Sequence, residues 1–190
     1  MANLLTFSRL AATPFVVWLM YADTPAARYG ALGLFIAAML TDVFDGPLAR
    51  RTGRTTLGNY LDPIADKTLI LCVFLCLGER GILPLWMGLV LLARELIVSG
   101  VRDVAAAQGK VVGANWMGKT KTFLQVVTVS AGLVLLARLA GEAGPSAVSS
   151  TWHHIVWGLG LLTVVVSAVF AGIFLHWNRR LIFGKGTPQN

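Results

Sequence analysis

The 190-residue chain is 56% hydrophobic and only 13% charged, about half the charge content of a soluble domain. Such a composition excludes a soluble globular domain and a disordered chain, and points to a membrane protein. Sixteen Lys and Arg against nine Asp and Glu give a net charge of +7. In a membrane protein that excess marks cationic flanks beside anionic headgroups, so no nucleic-acid partner is expected.

A membrane-spanning helix needs about 20 mostly apolar residues. Six such stretches follow one another: Leu4–Tyr21, Tyr29–Phe44, Tyr60–Leu77, Leu83–Val104, Thr122–Leu139 and Trp152–Trp177. Turn or polar residues separate them, as at Asp23-Thr24-Pro25, Arg51-Thr52-Gly53-Arg54 and Gly78-Glu79-Arg80-Gly81. The first stretch lacks a small-residue cleavage site and reads as a retained span. The expected fold class is all-α integral membrane, with six transmembrane helices in one domain over residues 1–190. Cys72 and Cys76 lie four apart in the third stretch, where core packing is the simplest role. Gly132, Gly158, Gly160 and Gly172 are candidates for close helix packing.

Lys and Arg set the orientation. With six spans, one side collects Arg9, Arg50, Arg51, Arg54, Lys67, Arg102, Lys110, Lys119, Lys121, Arg179, Arg180 and Lys185, which is twelve. The other side holds Arg28, Arg80 and Arg138. Both termini are therefore expected in the cytoplasm.

Acidic residues are scarce, so their placement is informative. Asp42 and Asp45 close the second stretch with i, i+3 spacing, and Asp62 and Asp66 open the third with i, i+4 spacing. Each pair falls on one face of a helix. A short loop joins the two stretches, which are expected to be antiparallel neighbours, bringing four carboxylates to one depth. Ionisable groups at membrane depth are functional by default. Four like charges repel, and a bound cation relieves them. Clustered hard oxygens suit Mg²⁺, Mn²⁺ or Ca²⁺ rather than zinc. The structural alternative is a salt-bridge cluster with Arg50, Arg51, Arg54 and Lys67. Gly46 allows close backbone approach, and Arg50 is suited to a phosphate. An acidic metal site, small residues and arginine together suggest phosphoryl chemistry.

The string Asp42-Val43-Phe44-Asp45-Gly46-Pro47-Leu48-Ala49-Arg50, followed by Gly58-Asn59-Tyr60-Leu61-Asp62-Pro63-Ile64-Ala65-Asp66, resembles the signature of the CDP-alcohol phosphatidyltransferases. That pattern is D-x-x-D-G-x-x-A-R, a spacer, then G-x-x-x-D-x-x-x-D, and all eight fixed positions are present. The spacer from Arg50 to Gly58 holds seven residues, one fewer than expected. Asn3-Leu4-Leu5-Thr6 with Arg9 and Pro14 resembles the family's amino-terminal segment. Ala93-Arg94-Glu95, Val101-Arg102 and Gly118-Lys119-Thr120-Lys121-Thr122 resemble the branch whose acceptor is glycerol 3-phosphate.

The resemblance implies a CDP-alcohol phosphotransferase fold, and transfer of the phosphatidyl group from CDP-diacylglycerol to glycerol 3-phosphate with release of CMP. It implies that Asp42, Asp45, Asp62 and Asp66 hold divalent cations, two Mg²⁺ or Mn²⁺ per site, and that Asp66 is also the catalytic base. It places Asn3, Thr6, Gly46, Arg50 and Thr55 at CDP-diacylglycerol, and it implies a homodimer. A compact chain of this kind fits a multi-pass enzyme of a bacterial inner (cytoplasmic) membrane, its active site facing the cytoplasm.

An acceptor that carries its own phosphate needs a second cationic pocket. Arg94 and Arg102 are eight apart, about 80° around a helix, and Lys119 opens the fifth stretch. These three, with Lys67, are the candidates for glycerol 3-phosphate. Positive-inside anchoring is the plainer role for Arg102, Lys119 and Lys121. For Arg94 it is an ion pair with Glu95 or Asp103. Another acceptor, such as inositol phosphate or phosphatidylglycerol, is an alternative within the same chemistry. A small divalent-cation transporter is an alternative of another class. A transporter site belongs near the bilayer midplane on broken helices, whereas these aspartates sit at span ends beside arginines.

Overall fold

A computed structural model describes residues 2–52, 56–108, 116–140 and 147–179. Side chains are described for 8–41, 67–108, 116, 118–140 and 150–179. The described chain is six α-helices: α1 Ala2–Tyr21, α2 Pro25–Thr52, α3 Thr56–Glu79, α4 Leu85–Ala107, α5 Trp116–Leu139 and α6 Ala147–Trp177. Five of the six expected stretches lie within one helix each, the fourth begins at Leu83, two residues before α4, and other ends differ too. Helix α2 runs eight residues past Phe44 and α3 starts four before Tyr60. Both aspartate pairs therefore lie inside helices rather than at their ends. Apolar runs report the part of a helix suited to lipid, and the backbone continues as helix beyond it.

Helix α1 packs on both α2 and α3; α5 packs on α2, α3 and α6; α4 packs on α3 and α6. Helices α1 and α5 each pack against both α2 and α3.

The surface is apolar in the manner of a lipid-facing protein. Phe15, Trp18, Leu89, Leu96, Ile97, Phe123, Val165 and Trp177 are exposed, while Thr13, Gln125, Thr128, Thr163 and Ser167 are buried. Thr128 and Thr163 share a hydrogen bond of 2.8 Å between α5 and α6. A water-soluble fold reverses this arrangement. Among the described residues, Gly118–Leu139 and Ser150–Trp177 are each long and apolar enough to cross a membrane.

The α3–α4 turn shows how the sequence stops a helix. Gly81 adopts φ +72°, a left-handed conformation that glycine accepts without steric cost. Ile82 N–H donates to the Leu77 carbonyl at 3.0 Å and Gly81 N–H to that of Gly78 at 3.1 Å, a Schellman closure. Gly78 is needed because a Cβ there would lie 2.9 Å from the Cα of Leu85. Gly132 and Gly160 also admit close neighbours, Leu77 and Leu83 respectively, whereas Gly158 and Gly172 face open space. Close packing is thus confirmed for two of the four glycines.

At this end of the bundle the cations have separate partners. Arg28 donates from Nε to the Ala22 carbonyl and from Nη1 to that of Leu136, both at 2.9 Å. Tyr21 donates its hydroxyl to Glu79, and Arg80 lies 4.3 Å over the Tyr21 ring. Arg138 lies 5.3 Å over Trp152.

Candidate functional site

The site at the other end begins with two neighbouring residues of α4. Consecutive positions on a helix point about 100° apart, so Arg94 and Glu95 reach different helices. Arg94 reaches α6, donating from Nε to the Ser167 carbonyl at 3.2 Å. Glu95 turns toward α3 and α5, and its side chain is only 5% exposed. Its Oε1 accepts from Arg94 Nη1 at 2.8 Å and from Lys121 Nζ. Its Oε2 lies 3.5 Å from Lys67 Nζ. Lys67 also donates to Ser99 Oγ at 2.6 Å. Lys121 and Arg94 are nearly as enclosed as Glu95, at 8% and 12% side-chain exposure, while Lys67 keeps 32%.

These side chains form one wall of a cavity of about 250 Å³ between α3, α4, α5 and α6. Arg102, Lys119, Thr122, Phe170 and Phe174 continue the lining. The Arg102 guanidinium lies 5.5 Å from the Phe174 ring centre, a cation–π distance that steadies the side chain. Five cations (Lys67, Arg94, Arg102, Lys119, Lys121) and one carboxylate (Glu95) face this space, a formal +4. Like charges 4 Å apart repel by about 4 kcal/mol at an effective dielectric of 20. The shared carboxylate relieves part of that, and an anion in the cavity relieves more. The arrangement suits a phosphate, bound by charge-assisted hydrogen bonds from Arg and Lys.

The structure brings all four sequence-predicted acceptor residues, Lys67, Arg94, Arg102 and Lys119, onto this one cavity. Arg94 also makes the ion pair with Glu95 that was the plainer reading. Lys121 corrects the expectation of an anchor in the headgroup region, because it is buried against Glu95. Sequence reasoning gave Glu95 to Arg94 alone and missed its contacts with Lys121 and Lys67. The available signal was a carboxylate in the middle of an apolar span, which calls for a cationic partner on another helix.

The side chains of the other candidates, Asn3, Thr6, Asp42, Asp45, Gly46, Arg50, Asp62 and Asp66, lie outside the described residues, and Thr55 lies outside them entirely. Among the described residues, no three His, Cys, Asp or Glu gather as a metal-ligand group. The helical backbone does run through the aspartate positions in α2 and α3, so the i, i+3 and i, i+4 spacings place each pair on one helix face.

The model of the CDP-alcohol phosphatidyltransferase family matches residues 1–174. A Rickettsia bellii protein named CDP-diacylglycerol–glycerol-3-phosphate 3-phosphatidyltransferase is 37% identical over 166 residues, covering 86% of this chain and 88% of its own. A Mycobacterium tuberculosis protein named probable phosphatidylglycerophosphate synthase is 40% identical over 173 residues, covering 89% of this chain and 78% of its own. A Bacillus subtilis protein with the same name as the Rickettsia relative is 37% identical over 145 residues, covering 70% and 75%. With the match running through the aspartate motif and the cationic cavity alike, the chain belongs to the CDP-alcohol phosphatidyltransferase family.

Proposed function

We propose that this protein transfers the phosphatidyl group of CDP-diacylglycerol to the primary hydroxyl of glycerol 3-phosphate, giving phosphatidylglycerophosphate and CMP. The observation that carries the acceptor choice is the cavity. Lys67, Arg94, Arg102 and Lys119 converge on it from α3, α4 and α5, a cation-rich pocket for a phosphate monoester. An uncharged or zwitterionic acceptor such as serine has no use for so much positive charge. The names of the relatives support the same choice.

Asp42, Asp45, Asp62 and Asp66 would hold two divalent cations, Mg²⁺ or Mn²⁺. Hard carboxylate oxygens on two helices are a fitting donor set for them. Bound there, such ions supply charge neutralisation for the diphosphate of the lipid donor. Gly46, Arg50 and Thr55, with Asn3 and Thr6, take the cytidine diphosphate portion. Lys67, Arg94, Arg102 and Lys119 seat the acceptor phosphate and so orient its hydroxyl. Asp66 accepts the proton from that hydroxyl as the oxygen bonds to the lipid-bearing phosphorus and the bond to CMP breaks. Lys67 directly follows Asp66 on α3, which links acceptor binding to proton removal. The domain spans 1–190 with six membrane helices, and its active site and both termini are cytoplasmic. The twelve-to-three division of cations supports that orientation. The functional form is a homodimer in a bacterial inner membrane.

The test is CMP release by purified protein supplied with Mg²⁺ or Mn²⁺, CDP-diacylglycerol and one acceptor at a time. Glycerol 3-phosphate is expected to support turnover, and inositol phosphate, serine and phosphatidylglycerol are not. No CMP with any acceptor would sink the enzyme reading. CMP with inositol phosphate but not with glycerol 3-phosphate would sink the choice of acceptor.

A further inference from the structure

The carboxylate of Glu95 has an arrangement that helix packing alone does not require. Its two oxygens meet head groups from three helices: Arg94 of α4 itself, Lys121 of α5 and Lys67 of α3. All three cations line the cavity, and so does Glu95. An acid beside an anion site weakens attraction for the anion, so its presence calls for a compensating role. The long side chains of Lys67, Arg94 and Lys121 carry large rotamer freedom, and left alone their charges would drive the head groups apart. One buried carboxylate answers both, fixing three donors on one wall before the ligand arrives.

We propose that Glu95 is a positioning residue for the acceptor phosphate, gathering the Lys67, Arg94 and Lys121 head groups into one preorganised anion-binding wall. The proposal rests on the acceptor-site reading above and deepens it. Glu95 does not touch the phosphate; it acts through the three cations. The inner cluster of three cations and one carboxylate carries a formal +2, the charge complement of a phosphate monoester dianion. A phosphate monoester loses its second proton near pH 6, so the dianion dominates at neutral pH.

The experiment uses the full chain in detergent micelles or nanodiscs, with CMP release measured against each substrate in turn. Glu95→Gln is expected to raise KM for glycerol 3-phosphate by about tenfold to a hundredfold, the scale on which small misplacements act. KM for CDP-diacylglycerol is expected to stay within about twofold, a split that separates loss of acceptor binding from general damage. Glu95→Asp keeps the charge on a shorter stem and should fall between wild type and Glu95→Gln. The double variant Glu95→Gln/Lys121→Met restores the +2 balance without the carboxylate, leaves no unpaired buried lysine, and serves if Glu95→Gln does not fold. A KM for glycerol 3-phosphate above that of Lys121→Met alone supports positioning, and one equal to it overturns the proposal, because Lys121 is itself one of the donors. A return to the wild-type value would show that net charge alone matters and overturn the proposal. So would an unchanged acceptor KM in Glu95→Gln, or a parallel rise for both substrates. If wild type turns over glycerol 3-phosphate normally and Arg102→Gln raises its KM, an unchanged Glu95→Gln overturns this inference alone. If wild type releases no CMP with glycerol 3-phosphate, the acceptor-site reading falls and this inference with it.

Discussion

At one end of the bundle Arg28 spends its donors on two main-chain carbonyls, and Arg80 and Arg138 lie over aromatic rings. At the other end Lys67, Arg94 and Lys121 crowd on a single carboxylate, with Arg102 and Lys119 nearby, around an open cavity. The first arrangement gives each cation its own partners within the protein: two carbonyls and the Asp23 carboxylate for Arg28, and one ring each for Arg80 and Arg138. The second leaves a surplus of positive charge lining one cavity. Burying a charge is costly unless it is paired, so the surplus is the better marker of a ligand than the burial. An arginine inside the bundle is therefore not by itself a functional sign. What distinguishes the site is how many cations share one counter-charge.

Three substitutions test that contrast. The largest effect is expected beside the cavity, one residue before Lys67. Asp66→Asn should lower kcat by about 10²–10⁴-fold, the usual contribution of a general base, while binding of CDP-diacylglycerol persists. Near-normal turnover would refute the base assignment. Next, Arg94→Gln removes a guanidinium from the cavity wall and should raise KM for glycerol 3-phosphate by about tenfold to a hundredfold, from the worth of charge-assisted hydrogen bonds. An unchanged KM would remove Arg94 from the acceptor site. Smallest in activity is Arg28→Met at the opposite end. It should cost about 1.5–3 kcal/mol of stability through the lost bonds to Ala22 and Leu136, read as a lower Tm in detergent, with both KM values unchanged. An acceptor-specific KM effect from Arg28→Met would break the division between the two ends.

The sequence disclosed the helices because lipid demands apolar runs, and all six lie where those runs do. It did not disclose where α2 ends or α3 begins. Residues such as Arg50, Arg51 and Asn59 give no apolar signal, although the helix continues through them. Neighbour relations were also hidden. No apolar run tells that α1 and α5 each lie against both α2 and α3. For the site, Lys67, Arg94, Arg102 and Lys119 were legible because each cation sits within or beside an apolar run at a common depth. Glu95 and Lys121 were not, because their partnership joins two helices at positions 26 residues apart, and no periodicity encodes a contact between helices.

The Arg94–Glu95 pair also bears on how the protein enters its membrane. Helix α4 carries Arg94, Glu95, Arg102 and Asp103, and it is not among the described helices whose apolarity alone suffices for crossing. Each charge at the centre of a lone helix costs about 2.5–3.5 kcal/mol to insert. The internal pair offsets part of that, and Lys121 is made only when α5 follows from the ribosome. On the six-span reading proposed above, helix α4 would be held in the bilayer by its neighbours rather than by its own greasiness. Its stable insertion and the construction of the cationic cavity would then be a single step of biogenesis.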